Sequence, residues 1–125
     1  MTGPNHVLKK SYTAGGTITR YAIVMFGSSD DAVVVGTAAT DLLIGVAMHD
    51  AVSGERVEVQ LMGITEIKLG GTVTRGNDIT SGAAGVGVAL SAAATIKSSI
   101  GKALASGVTG DVIPVMISIW SAVTA

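Results

Sequence analysis

From residue 56 to 61 apolar and polar positions alternate, with Val57, Val59 and Leu61 set between Arg56, Glu58 and Gln60. A period of two sends the two sets to opposite faces of an extended chain, so residues 56–62 are predicted to form a strand. Gly63 interrupts, and the same alternation over 64–69 predicts another strand. Residues 18–26 are rich in β-branched and aromatic side chains, which suit a pleated surface, and read as a further strand. The apolar runs 32–35 and 42–48 have strand length, and 112–119 predicts a closing strand. Pro114 cannot donate a ladder hydrogen bond, which places that last strand at an edge or a bulge. Ala103-Leu104-Ala105 is long enough for one helical turn, and no long amphipathic helix is written anywhere in the pattern. The expected class is all-β.

The turns between these runs repeat. Gly15-Gly16-Thr17-Ile18-Thr19-Arg20 returns as Gly70-Gly71-Thr72-Val73-Thr74-Arg75, a spacing of 55 residues. Ile44-Gly45-Val46-Ala47 returns as Ile100-Gly101-Lys102-Ala103, and Ser53-Gly54-Glu55 as Thr109-Gly110-Asp111, both at 56, one extra residue near Gly76 accounting for the difference. Internal repeats constrain architecture more than isolated motifs do. Two tandem pseudo-repeats, about 15–62 and about 70–118, are therefore expected to close one small barrel within a domain spanning 13–125. The second copy is diluted with Gly, Ala and Ser, and is the expected face for close packing against neighbours. Residues 1–12 read as an extended N-terminal arm, broken by Gly3, Pro4 and Asn5, disordered when free and ordered on binding.

Composition changes this picture in two ways. Apolar residues make up 48% of the 125-residue chain and charged residues 14%, against roughly 25% charged in an ordinary soluble domain. With a mean hydropathy of +0.59, such a chain either enters a membrane or hides surface in an assembly. The longest uncharged run, 79–96, is built from Gly, Ala, Ser and Thr, which contribute little to bilayer insertion, so an assembly is expected and no membrane partner. The first residues lack the apolar core of a signal peptide. A net charge of −1 and four aromatic rings (Tyr12, Tyr21, Phe26 and Trp120) argue against nucleic acid, whose phosphates require a basic field.

Candidate chemistry is sparse. With no Cys, thiolate catalysis and Cys-based metal sites drop out. Met48-His49-Asp50 pairs an imidazole with a carboxylate, but no Ser stands in a Gly-x-Ser-x-Gly context, and a histidine beside a turn aspartate is ordinary loop chemistry. His6, His49 and Asp50 have no metal-ligand spacing. Gly101-Lys102 is followed by Ala103 and preceded five positions earlier by Ile96, where a phosphate loop needs Ser or Thr and Gly. The glycines of 82–87 read as a turn. Arg20 and Arg75, at matching repeat positions, are either paired binding groups or solvated turn residues after a buried Ile18 and Val73; the second reading is favoured. No catalytic residue, cofactor, metal or small-molecule substrate is expected.

The ordered series of turns resembles a known family. Tyr12-Thr13-Ala14-Gly15-Gly16, Ala38-Ala39-Thr40-Asp41 leading to Ile44-Gly45-Val46-Ala47, Asp50-Ala51-Val52-Ser53-Gly54-Glu55, Gly70-Gly71-Thr72-Val73-Thr74-Arg75-Gly76-Asn77 and Ile100-Gly101-Lys102-Ala103 with Gly110-Asp111 carry the likeness. The chain looks like the capsid decoration, or cement, proteins of tailed bacteriophages, whose genes often bear a recombinase label; that label fails here for want of a phosphate loop. The resemblance implies a β-barrel or β-tulip-like domain, non-enzymatic and usually trimeric. It would be made in the host bacterial cytoplasm and act on the capsid exterior, bridging major capsid subunits against the pressure of packaged DNA. Thr2, Pro4, His6, Val7, Lys9, Lys10 and Tyr12 are the expected capsid or oligomer contacts, with Lys68, Lys97 and Lys102 adding to a basic rim. Another β-rich virion subunit, such as a head fibre base or tail component, is the alternative; a small ligand-binding module is a third.

Overall fold

The computed structural model describes residues 5–38, 42–90 and 96–123. They form nine strands: β1 (Asn5–Ala14), β2 (Ile23–Phe26), β3 (Ala32–Val35), β4 (Leu43–Ala47), β5 (Arg56–Lys68), β6 (Asp78–Ser81), β7 (Gly87–Ala89), β8 (Ile96–Ala103) and β9 (Val112–Val123). A three-residue 3₁₀ turn, Ala83–Gly85, is the one helical element among the described residues. The fold is all-β, as the pattern predicts.

Strands run in the order β1-β3-β2-β4-β5, and β1 pairs back onto β5, closing a five-stranded barrel. The pairing β1–β3 is parallel, and the other pairings within the barrel are antiparallel. The sheet then continues from β5 through β9, β8, β6 and β7. A parallel bridge from Leu69 to Gly87 returns its far end to the end of β5. Closure therefore lies within the first half of the chain alone, and the second half is an extension packed beside it. Closure leaves the barrel strands no free edge at which another chain could add.

Burial explains the patterns. Tyr12, Val24, Val33, Ile44, Val57 and Val59 are among the side chains that fill the barrel. A second cluster gathers Ile67, Leu69, Val73, Ile79, Ile100, Ile113, Val115 and Ile117 with Ile23, Leu43 and Val46 of the first half. The wall formed by β2 and β4 is thus covered on both sides, and all five residues of β4 are buried, which is why that run is continuously apolar rather than alternating. The same covering buries Gln60, which the alternation assigns to a polar face. Its Nε2 donates to the carbonyls of Met62 and Ile64, at 3.1 Å each.

Several expectations are revised. The two segments either side of Gly63 are one strand, β5, which bends there with φ 105°, a conformation glycine adopts freely, as the chain passes from barrel to extension. Residues 18–26 contribute only Ile23–Phe26, because Tyr21 turns the chain at φ 74° and Ile18 makes a single bridge to Ala51. Pro114 is not at an edge: β9 lies between β5 and β8. The Pro114 carbonyl accepts from Leu104 N, one residue past the end of β8, so its ring nitrogen faces the same way and displaces no donor within that strand's ladder. Residues 103–105 make a strand end and a bend, not a helical turn. The arm is also revised: residues 5–12 belong to β1, paired with β5 from Asn5 opposite Ile64 to Thr13 opposite Arg56.

Candidate functional surface

Of the expected contact residues, Thr2 and Pro4 lie outside the described residues, and His6 and Val7 fall within β1. Lys9 is exposed and its Nζ lies 3.4 Å from Glu58 Oε2 on the neighbouring strand. Lys10 Nζ sits 4.3 Å from the centre of the Tyr12 ring. Tyr12 is only 7% exposed and belongs to the buried cluster of the barrel, so little of it is open to a partner. Lys102 is held by Asp78 at 2.8 Å, so the basic rim is partly neutralised within the molecule itself.

Beside β1 the chain builds a polar clasp that the sequence pattern does not announce. Arg56 donates to the Ser11 carbonyl and hydroxyl, to the Thr13 hydroxyl and to Asp31, tying β1, β5 and the β2–β3 turn together. The hydrogen bond from Arg56, reinforced by one from Thr13, holds the Asp31 carboxyl below its ordinary value. The clasp is exposed, and such pairs position strands more than they stabilise them.

The two turns that carry the sequence echo are built alike. Ile18 and Ala51 exchange backbone hydrogen bonds, and so do Val73 and Gly107. Arg20 N donates to Asp50 Oδ1, and Arg75 N to Ser106 Oγ. Val52 N is capped by Glu55 Oε1, and Val108 N by Asp111 Oδ2. Gly54 and Gly110 have φ 91° and 92°, and their N–H groups bond to Ala14 O and Leu69 O. Thr17, Ile18, Thr19, Asp50, Val52 and Glu55 are among the residues around an open hollow of about 290 Å³ at the first turn. Both of its carboxylates, Asp50 and Glu55, accept backbone hydrogen bonds. Arg20 and Arg75 are exposed after buried Ile18 and Val73, and the Arg20 guanidinium lies 4.8 Å from the centre of the Tyr21 ring.

His49 stands at the same end. Its Nε2 accepts from Glu58 N at 3.2 Å, and its Nδ1 is 3.0 Å from Asp50 O, an arrangement in which Nδ1 carries the proton and donates. Both ring nitrogens thus serve the β4–β5 turn. Among the described residues no three His, Asp or Glu side chains gather as a metal site. No helix among them is long and apolar enough to cross a membrane.

Exposed apolar residues supply the remaining feature. Leu8 and Met62 face each other across β1 and β5, and Met116 on β9 stands opposite Ile64, so an apolar stripe crosses three strands. Val52 and Val108, at matching positions of the two turns, are each 55% exposed. None of these five was singled out from sequence, because an exposed Leu, Met or Val looks the same there as a buried one; the repeat offers the only signal, for the valines.

Comparison with known proteins fits this all-β fold. A search of curated proteins found no match. Among solved structures the chain resembles the head fiber gp8.5 N base of bacteriophage phi29, with a TM-score of 0.65 and 20% identity over 89% of this chain and 93% of that one, a likeness of fold. The family model described as phage cement protein matches residues 3–118, nearly the whole chain, and the protein accordingly belongs to the phage cement protein family.

Proposed function

We propose that this protein decorates the outside of a phage head, binds the major capsid protein and stabilises contacts between neighbouring capsid subunits as a homotrimer. The observation that carries the reading is the family match over residues 3–118. The site chemistry agrees with it: the carboxylates at the first turn and the ring nitrogens of His49 are spent on backbone hydrogen bonds, which suits a structural protein and leaves no group poised for turnover. A surface low in charge and carrying an apolar stripe suits close packing in an assembly. Its place is the capsid exterior, after synthesis in the host bacterial cytoplasm, with no nucleic acid or membrane partner.

The test uses the full-length protein and heads lacking it. Co-sedimentation is expected to saturate at a fixed number of copies per head, and light scattering of the free protein to give the mass of a trimer. No co-sedimentation at any concentration overturns head binding, and a strict monomer overturns the trimer. The fold likeness to a head fibre base favours a second reading, in which the domain seats a fibre on the head. Electron micrographs decide between them: density flush with the shell supports decoration, and a projecting fibre dependent on this protein supports the alternative.

A further inference from the structure

The two matching turns sit at opposite ends of one strand. Glu55 of the first turn immediately precedes β5, while Leu69, just after β5, exchanges backbone hydrogen bonds with Asp111 and Gly110 of the second. β5 has 13 residues and is therefore about 40 Å long, taking roughly 3.3 Å per residue of extended strand, which sets the scale of the separation between the turns. What the two ends retain is informative against what they do not. Arg56 corresponds to Val112, Glu58 to Pro114 and His49 to Ala105, so most of the surface has diverged between the copies. Retained are Thr17 and Thr72, Thr19 and Thr74, Arg20 and Arg75, Val52 and Val108, and all eight are exposed. The fold accounts for the retained glycines and capping carboxylates through their φ angles and hydrogen bonds. It does not account for the threonine and valine pairs, since the threonine hydroxyls make no hydrogen bond among the described residues and the valines are half in water; the guanidiniums make none either, although that of Arg20 lies 4.8 Å from the centre of the Tyr21 ring, a contact Arg75 cannot repeat beside Gly76.

We infer that the two ends form a bivalent clamp, each presenting the same valine, threonine and arginine surface to an identical patch on one of two neighbouring capsid subunits. The inference rests on the head-binding reading above. The partner patch would offer a shallow apolar contact for the valine and a carboxylate for the guanidinium, repeated at a spacing of the order of the length of β5. Two weak contacts joined by a rigid spacer bind far more tightly than either alone, because the second forms at high effective concentration.

The experiment compares the full-length protein with Val52→Asp, Val108→Asp and the double variant for binding to heads lacking it, alongside the mass of the free protein. Each single variant is expected to bind about 100-fold more weakly than the wild type, by a similar factor for both, because every copy of the chain is left with one end. The double variant is expected not to bind. Arg20→Glu and Arg75→Glu repeat the comparison should an aspartate disturb either turn. Wild-type binding unaffected by every variant, or abolished by changes at one end and untouched by changes at the other, overturns the clamp while leaving head binding intact. A change in the mass of the free protein would assign these ends to contacts between copies of this chain and also overturn it. Failure of the wild type itself to bind heads removes the underlying reading, and the clamp with it.

Discussion

Gly45 lies in β4 beside the Val46–Gln60 pairing of β4 with β5. A Cβ added there would stand 2.3 Å from the Gln60 carbonyl oxygen and 2.7 Å from Val59 Cγ1, far inside van der Waals contact. The first of these neighbours is backbone, in a strand held by partners on both sides, so it has no rotamer into which to retreat. Gly45→Ala therefore requires β4 and β5 to separate by about 1 Å across a closed barrel, a change close-packed interiors resist. Overpacking of this kind costs about 1–3 kcal/mol, and the rigid neighbour argues for the upper end. With an unfolding entropy of about 2.1 cal/mol/K per residue, a chain of this length loses roughly 10 °C of Tm for about 3 kcal/mol. Gly16→Ala is the control, because a Cβ there meets nothing within 4 Å and should move Tm by no more than about 4 °C, in the stabilising direction if at all. Thermal unfolding followed by circular dichroism measures both. Equal Tm values for Gly45→Ala and the wild type would refute the claim that strand approach at Gly45 sets this packing, and with it the account of the corresponding Gly101, whose Cβ would lie 2.0 Å from Met116 O.

Deletion of residues 2–11 removes most of β1 and opens the barrel along β5; the expected outcome is loss of cooperative unfolding or aggregation, whereas an unchanged Tm would show these residues to be an arm after all. Asp31→Asn should lower Tm at neutral pH and less so in acid. The carboxyl is held below its ordinary value by Arg56, so its contribution is present above the ordinary carboxylate range and is lost as pH falls through the depressed folded-state value. A difference between variant and wild type that stays constant as the solution is acidified, or that salt does not shrink, would exclude the ion pair as its source.

Much of the fold was legible in the chain because its signals are local. Alternation over 56–69 marks the longest barrel strand, and the unbroken apolar run around Leu43–Ala47 marks a strand buried on both faces. The repeated glycine turns are local in part: Asn77 N to Thr74 O and Glu55 N to Val52 O span only a few residues, whereas the Ile18–Ala51 and Val73–Gly107 bonds join distant parts of the chain. The absence of thiols and of a phosphate loop was likewise plain from composition and spacing.

Pairing across the sequence was not legible, because any strand edge can bond to any other and only packing selects the partner. Residues 5–12 contain a plausible strand in either reading; that Tyr12 drops into the barrel and β1 closes it depends on an edge of β5 being open at that register. Gln60 reads as a surface residue until the second half of the chain covers it, and Pro114 reads as an edge residue until the end of β8 falls one position short of it. The candidate surface divides in the same way. The sequence alone determined that two turns are alike, since identity of residues is local information. Only the tertiary structure decided that they stand at opposite ends of β5, because the length and direction of the strand between them convert a repeat into a spacing.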